Sequence, residues 1–432
     1  MKSTGLRDKE KYYLIPQYTM KCRMYPNKEV AGKIDQAIYA IHCFHNCTVW
    51  EIYNNHACTK EKQKTGSDSE TVHFVDFNEI GSVEWKKKMM TEHPQIQNAV
   101  SSAITCKSGV IADMKRAFGK KPIEFIKPPY YSKRRQRNSY TYQECFSKVL
   151  PSENHNVFYF SLAKIGTVKI RGWNERLRFG QNQELNFLEY AAADPRKHVT
   201  VTVSKDNCGD YWICFKLQNV FRPMQCGGVG CVGVDVGIKD IAIASDGRKW
   251  ENRKFKKEQE KHIKALNRRM SRRQGWANEQ FRLSRKSDKT LQPSRRYQKT
   301  VLANAKLQRR IARRRDYYNH NITCDILKTN NLVAVETLNV SGMFRNRHLA
   351  NALSDAAMGS ILQMLNYKSG WYERVLKPID RWTPSSKRCS CCGYILPILS
   401  LSVRAWDCPE CNSHHDRDVN AAKNILYYAL AG

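Results

Sequence analysis

The chain has 432 residues, enough for two to four domains at about 100–200 residues each. Lys and Arg number 73 against 40 Asp and Glu, a formal charge of +33, and 41% of the residues are hydrophobic. That is too apolar for a disordered chain and too charged for a membrane protein. No run of about 18 uncharged apolar residues occurs, so no transmembrane helix is expected. The first residues, MKSTGLRDKEKYYLIP, lack the apolar stretch and small-residue cleavage site of a signal peptide. Solubility alone needs far less charge than +33. A nucleic acid is the expected partner, since each Lys or Arg placed at a phosphate releases condensed counterions. An anionic membrane surface fits less well, because no basic helix with an aromatic face stands out.

In chain order, residues 1–25 read as an extended start with alternating aromatic and β-branched positions, closed by Pro26. From Lys33 to about Asn55, Ile34, Ala37, Ile38, Ile41 and Phe44 recur at helical spacing. Residues 59–82 begin polar and read as a loop or insertion, and 84–120 as one or two further helices. A basic aromatic stretch, PPYYSKRRQRNSYTY, follows at 128–142. Strand-like runs come next at Val157–Leu162, Val168–Ile170, Val199–Val203 and Tyr211–Leu217. The simplest arrangement is a helical domain inserted into a β domain. Residues 229–246 read as strand, glycine turn and strand. Residues 248–316 read as helical and hold 25 Lys and Arg against 6 Asp and Glu, a net +19. Its arginine pairs would spread around a helix of about 3.6 residues per turn and reach a nucleic acid from several sides. A solvated charged face normally mixes signs, and this one does not. Residues 332–338 read as a buried strand, 349–376 as one amphipathic helix and 419–430 as a final helix.

Four of the 16 cysteines are paired: Cys389-x-x-Cys392, fifteen residues, then Cys408-x-x-Cys411. Each pair is a knuckle that aims two thiolates at one ion, and two knuckles make a closed tetrahedral Zn²⁺ site with a structural role. Cys391 offers a competing thiol. An earlier grouping, Cys43, Cys47, His56 and Cys58, reads better as core thiols on a helix. The other cysteines are scattered, as expected of a reduced cytoplasmic chain.

Three acids stand in unusual places. Alternation puts Val232, Val234 and Val236 on one strand face and Gly233, Asp235 and Gly237 on the other. Glu336 ends the run LVAVE in the same way, and Asp418 stands at the start of the last helix. A carboxylate on a core strand is costly unless it is paired or bound to a cation. Each acid alone also fits a plain role: a turn cap, an arginine partner, or a helix N-cap. Together they have the hard oxygen chemistry that two Mg²⁺ ions require for phosphodiester hydrolysis. Tyr130, Tyr131, Trp276, Tyr297 and Trp406 are candidate platforms for unpaired bases, with core packing the alternative for each.

The strings GVDVGIKDIAIASDG, VAVETLNVSGM, PSSKRCSCCG, WDCPEC and HDRDVNAAKNIL resemble the split RuvC nuclease and zinc ribbon of the TnpB family. These are transposon-associated RNA-guided DNA endonucleases, similar to the miniature type V CRISPR effectors. The likeness is close over 229–429 and loose before it, where residues 59–82 are longer and more polar than in the family.

The resemblance implies an α/β and α+β multidomain chain. A wedge β-barrel would be formed by 1–28 and 151–226, with a helical recognition domain inserted at 29–150. A RuvC domain of RNase H-like fold would span 227–385 and 413–432, with a zinc ribbon that binds target nucleic acid at 386–412. Asp235, Glu336 and Asp418 match the family's catalytic acids and Mg²⁺ ligands. Asp418 is preferred to Asp416 by its distance from Asn420-Ala421-Ala422. Cys389, Cys392, Cys408 and Cys411 match the zinc ligands. The implied partners are a guide RNA, the double-stranded target DNA and its displaced single strand, in a prokaryotic cytoplasm, with no membrane and with a monomeric or homodimeric protein. Expected phosphate contacts are Lys133, Arg134, Arg135, Arg268, Arg269, Arg272, Arg273, Arg309, Arg310, Arg313 and Arg314. Two other activities use the same parts: a guide-independent transposase or strand transferase, and an RNA-guided DNA-binding protein without nuclease activity. Retention of all three acids speaks against the latter.

Overall fold

The computed structural model describes residues 17–54, 138–221 and 228–431, with breaks at 155, 172–176, 180–182, 219, 285–293, 339, 344, 346 and 401, together with parts of 74–130. Two units emerge, Tyr18–Gln218 and a second built on Asn219–Gly432.

The first unit holds β1 (Gln17–Tyr25), β2 (Ser139–Cys145), β3 (Val149–Pro151), β4 (Val157–Leu162), β5 (Gly166–Arg171), β6 (His198–Lys205) and β7 (Tyr211–Gln218), in the sheet order β2-β6-β7-β1-β5-β4-β3. The two edge strands, β2 and β3, are joined by only Phe146–Lys148. The sheet must therefore curl enough to bring its two edges near one another, as in a partly closed barrel. Alternation drives the packing: Phe158, Phe160 and Leu162 of β4 and Val199, Val201 and Val203 of β6 are all buried. The sheet resumes at Ser139, ahead of the 151 boundary expected from sequence, because Tyr140 and Tyr142 of the basic aromatic stretch are core residues of β2.

A short helix, α3 (Phe187–Ala193), carries Phe187 against Phe215, with ring centroids 4.9 Å apart. Its capping box, in which Asn186 and Glu189 exchange side-chain-to-amide hydrogen bonds, starts the helix. Between β1 and β2 lie α1 (Lys28–Asn54) and α2 (Val83–Glu92). The Asn27 side chain accepts from the Val30 amide at 2.8 Å, so α1 begins a turn earlier than its apolar pattern shows. Cys43 and Cys47 are half-buried on α1, while His56 and Cys58 lie outside the described residues.

The second unit is built on β8 (Gly230–Asp235), β9 (Asp240–Ala244), β10 (Lys249–Glu251), β11 (Asn330–Glu336) and β12 (Val375–Ile379), in the order β10-β9-β8-β11-β12. β8, β9 and β10 pair antiparallel, and β11 and β12 add on in parallel. Between β10 and β11 run two long basic helices, α4 (Glu260–Ser284) and α5 (Arg295–Thr329). After β11 come α6 (Arg347–Ala356) and α7 (Met358–Trp371). The single helix expected over 349–376 is thus two, broken at Ala357, whose φ is +50°. The buried Asp355 carboxylate just before the break accepts from the Lys256 and Lys257 amides at 3.0 and 3.3 Å. Val232, Val234, Val333 and Val335 pack with Ile326, Leu327, Ile361 and Leu365 on one sheet face. Ala334 and Ile379 pack with Ile425 and Ala429 of the last helix, α8 (Arg417–Ala431), on the other.

Candidate functional site

The face under α8 is the one that carries Gly233 and Asp235 of β8 and Ala334 and Glu336 of β11. Small residues are required where helix and sheet touch: a Cβ on Gly233 would collide with the Ala422 carbonyl oxygen and the Leu426 amide. Val234 and Val335 are register partners on parallel strands, so Asp235 and Glu336, the next residues, stand side by side about 4.8 Å apart at the strands' carboxyl ends. From Gly233 to Asp235 the strand advances about 6.6 Å, and from Ala422 back to Asp418 the helix retreats about 6 Å. The two displacements bring Asp418, in the first turn of α8, toward the two strand acids. Burial, reinforced by the charges of Glu336 and Asp418, pushes the Asp235 carboxyl up to about 7. Burial also raises the Glu336 carboxyl.

Asp416 does different work. Its Oδ1 accepts from the Asp418 and Val419 amides, both at 3.1 Å, which makes it the N-terminal cap of α8. Its other oxygen takes Lys249 Nζ at 2.6 Å. Among the described residues Asp418 has a looser pair, with Arg404 at 3.6 Å. A cluster of carboxylate oxygens, half-buried and mutually repelling, has the donor chemistry of a hard divalent cation such as Mg²⁺.

A second cluster holds Cys389, Cys392, Cys408 and Cys411, whose sulfurs all lie within 4.8 Å of one another. Cys389 and Cys411 are 3.6 Å apart, and Cys392 and Cys408 are 3.5 Å apart. A tetrahedron with Zn–S bonds of about 2.3 Å has edges near 3.8 Å, so the four thiols fit zinc. The two knuckles repeat one geometry. Gly393 donates to the Cys389 carbonyl at 3.0 Å and Asn412 to that of Cys408 at 2.8 Å, both with positive φ, +85° and +55°. The Ser413 hydroxyl and amide draw the Cys411 thiol down to about 6, while burial and the neighbouring thiols push Cys392 up to about 12, so the four sulfurs do not share one charge state without a metal.

The structure adds His415 to this cluster, which sequence reasoning did not include. Its Nε2 lies 3.0 Å from Cys389 Sγ, its ring packs on Trp406, and Cys389, Cys391 and His415 form a second possible ligand group. A histidine next to Asp416 in HHDRD was the available signal. Trp406 itself is 7% exposed, part of the core under the knuckles, and so is not a base platform.

The segment that carries the four cysteines is bolted to α8. Asn420 Nδ2 donates to the Arg388 carbonyl at 2.7 Å, and the Ser390 amide donates to Asn420 Oδ1 at 2.9 Å. Asn424 Nδ2 donates to the Ser385 and Arg388 carbonyls at 2.8 and 2.6 Å. Both asparagines are buried, so these bonds have no competing water.

Of the expected phosphate contacts, Arg268, Arg269 and Arg272 of α4 and Arg310 and Arg313 of α5 are exposed, and Arg309 is half-buried. Arg273 instead holds the two helices together, donating to the Arg296 carbonyl at 2.8 Å and to Thr300 Oγ1. Arg314 pairs with Glu258 at 3.1 Å. Lys133, Arg134, Arg135 and Tyr131 lie outside the described residues, as does the side chain of Trp276. Tyr130 is exposed and Tyr297 half-buried.

Residues 225–347 match the family model described as "Probable transposase" (OrfB_IS605), and residues 359–425 match "Cas12f1-like, TNB domain". A protein of Streptomyces pristinaespiralis named "Putative RNA-guided DNA endonuclease" is 35% identical over 232 residues, 54% of this chain and 53% of that protein. The Escherichia coli K12 protein of the same name, InsQ, is 26% identical over 82% of this chain and 80% of its own. The chain spans about half the length of the first of these relatives. Among solved structures, the RNA-guided endonuclease CRISPR-Cas_phi3 overlays with a TM-score of 0.42 at 9% identity, over 96% of this chain and 92% of its own. The Cas12f1-sgRNA-target DNA complex gives 0.30 at 12% identity, over 95% and 98%. Overlays this loose add nothing to the assignment of the site. The matched segments establish the resemblance: this chain is similar to the TnpB family of transposon-associated RNA-guided nucleases and to the miniature type V effectors. No helix among the described residues is long and apolar enough to cross a membrane.

Proposed function

We propose that this chain is an RNA-guided DNA endonuclease whose phosphodiester chemistry is carried by Asp235, Glu336 and Asp418. The observation behind this reading is the meeting of two strand-end carboxylates with a third at the first turn of α8, in a chain of charge +33. The sheet order, with three antiparallel strands followed by two parallel ones, supports an RNase H-like RuvC domain for this unit. The curled sheet of Tyr18–Gln218 supports the wedge, with α1 and α2 as part of the inserted recognition domain.

Asp235 and Glu336 are held by adjacent strands and Asp418 by a capped helix, so the three carboxylates would meet the scissile phosphate pre-positioned. A pair of Mg²⁺ ions bound by them would supply a water of lowered pKa and charge stabilisation for the leaving oxygen. Asp416, committed to the α8 cap and to Lys249, would fix the angle at which Asp418 enters. The cysteine ribbon would hold a structural Zn²⁺ and, through Asn420 and Asn424, the register of α8. The exposed arginines of α4 and α5 would follow a nucleic-acid backbone, leaving sequence choice to guide pairing and a short flanking motif.

The match to a transposase model favours one second reading, strand transfer with the same acids and no guide. Protein purified with its native flanking DNA separates the two. A co-purifying RNA with a constant scaffold and a variable end, directing Mg²⁺-dependent cuts in matched DNA, is the expected result. Joining of free DNA ends without any RNA would overturn it.

A further inference from the structure

We propose that Trp382, backed by Arg381, is a stacking platform for a nucleobase of the unpaired DNA strand entering the carboxylate site. This rests on the nuclease reading above and adds to it a substrate contact. Trp382 is 77% exposed, the most exposed aromatic among the described residues. An indole left in water forgoes a large burial gain, and among the described residues the Trp382 ring stays largely in solvent. The Arg381 guanidinium lies over it, 4.5 Å from the ring centroid, so the platform carries a positive charge beside its π-face.

The turn that carries the pair is fastened at both ends to the elements that carry the acids. On one side the Ile379 carbonyl accepts from the Thr337 amide at 3.1 Å and hydroxyl at 2.7 Å, and Thr337 follows Glu336. On the other, the Ser385 carbonyl accepts from Asn424 of α8, the helix that begins at Asp418. Between these anchors the Trp382 amide donates to Asp380 Oδ1 at 2.8 Å and the Thr383 amide to the Asp380 carbonyl at 3.2 Å, which fixes the turn.

Ile379 is the register partner of Glu336, and Trp382 lies three residues beyond it, a reach of at most about 10 Å. That is on the order of three stacked nucleotides at about 3.4 Å each. An exposed indole with a guanidinium suits a base and its phosphate. It suits an unpaired base in particular, since a base within a duplex has both faces covered by its neighbours. Sequence reasoning named five aromatics as platforms and passed over this one. RWTPSS reads as a plain turn, and only the register with Glu336 places it beside the acids.

The test uses the guide-loaded protein and a single-stranded substrate carrying 2-aminopurine near the cut. Binding is read in the Asp235→Asn background and cleavage with Asp235 intact. Trp382→Ala is expected to lose the aminopurine quench seen with Trp382 and to lower kcat/KM about tenfold or more. Trp382→Phe is expected to keep most of both, with guide binding and zinc content unchanged in each variant. A Trp382→Ala protein with undiminished quench and kcat/KM would overturn the platform and leave the nuclease reading standing. A quench that needs Trp382 in a protein that never cuts would support the platform and overturn the nuclease reading.

Discussion

At Gly233 the backbone of α8 lies where a side chain would have to be, against the Ala422 carbonyl and the Leu426 amide. That close approach brings the first turn of α8, and Asp418 with it, over the end of β8. Gly233→Ala is therefore expected to push α8 off the sheet and to lower stability by about 3 kcal/mol. Chemical denaturation of the two proteins checks this, and an unchanged midpoint would mean that the helix is free to move. The division of labour between Asp416 and Asp418 also belongs to this scale. Both stand at the head of α8, but Asp416 is spent on two amides and a lysine. The family resemblance preferred Asp418 to Asp416, and the hydrogen bonds leave Asp418 the less committed of the two.

Among the elements, the cysteine-bearing segment and α8 are tied together. The first knuckle presents the carbonyls of Ser385 and Arg388 to Asn424 and Asn420, and His415 reaches Cys389 from the strand just before α8. The core around Cys389, Trp406 and Cys408 is small for a segment of this length, so the proposed zinc would add to its hold. Cys408→Ser is expected to drop zinc from one ion per chain to none and to slow DNA cleavage through loss of α8's anchor; metal analysis of the purified variant checks the first part. An unchanged zinc content would count against the ligand set and draw attention to Cys389, Cys391 and His415 instead.

Element order in this unit was legible because period-two runs such as LVAVE and VGVD are bounded by turn residues. The break at Ala357 was not: Gly359 lies two residues on, but the residue that takes the positive φ is an alanine, and Asp355 beside it caps the Lys256 and Lys257 amides, a contact between elements far apart in sequence. The capping box at Asn186 and Glu189 was visible as N-x-x-E, but it sits in a segment that otherwise reads as loop.

Across the whole molecule, the charge predicted a polyanionic partner, and the long basic helices place much of that charge on exposed arginines. Sequence alone does not tell an arginine that meets phosphate from one that ties two helices together, as Arg273 does, because that depends on which faces of α4 and α5 meet. Burial divides the aromatics in the same way: Trp406 supports the knuckles and Trp382 stands in solvent. Asp235 and Glu336 stood out in the sequence because a carboxylate on an apolar strand breaks a local rule; Asp418, an ordinary acid for a first helical turn, was singled out only by the family resemblance.

In the proposed reading Asp235, Glu336 and Asp418 cut guide-matched DNA. The most direct measurement compares guide-loaded protein with its Asp235→Asn, Glu336→Gln and Asp418→Asn variants on one matched duplex in Mg²⁺, scoring cutting and binding in parallel. Each variant is expected to lose cleavage by about a hundredfold or more while binding the duplex as before. Wild-type cutting by any one of the three would remove that carboxylate from the proposed site.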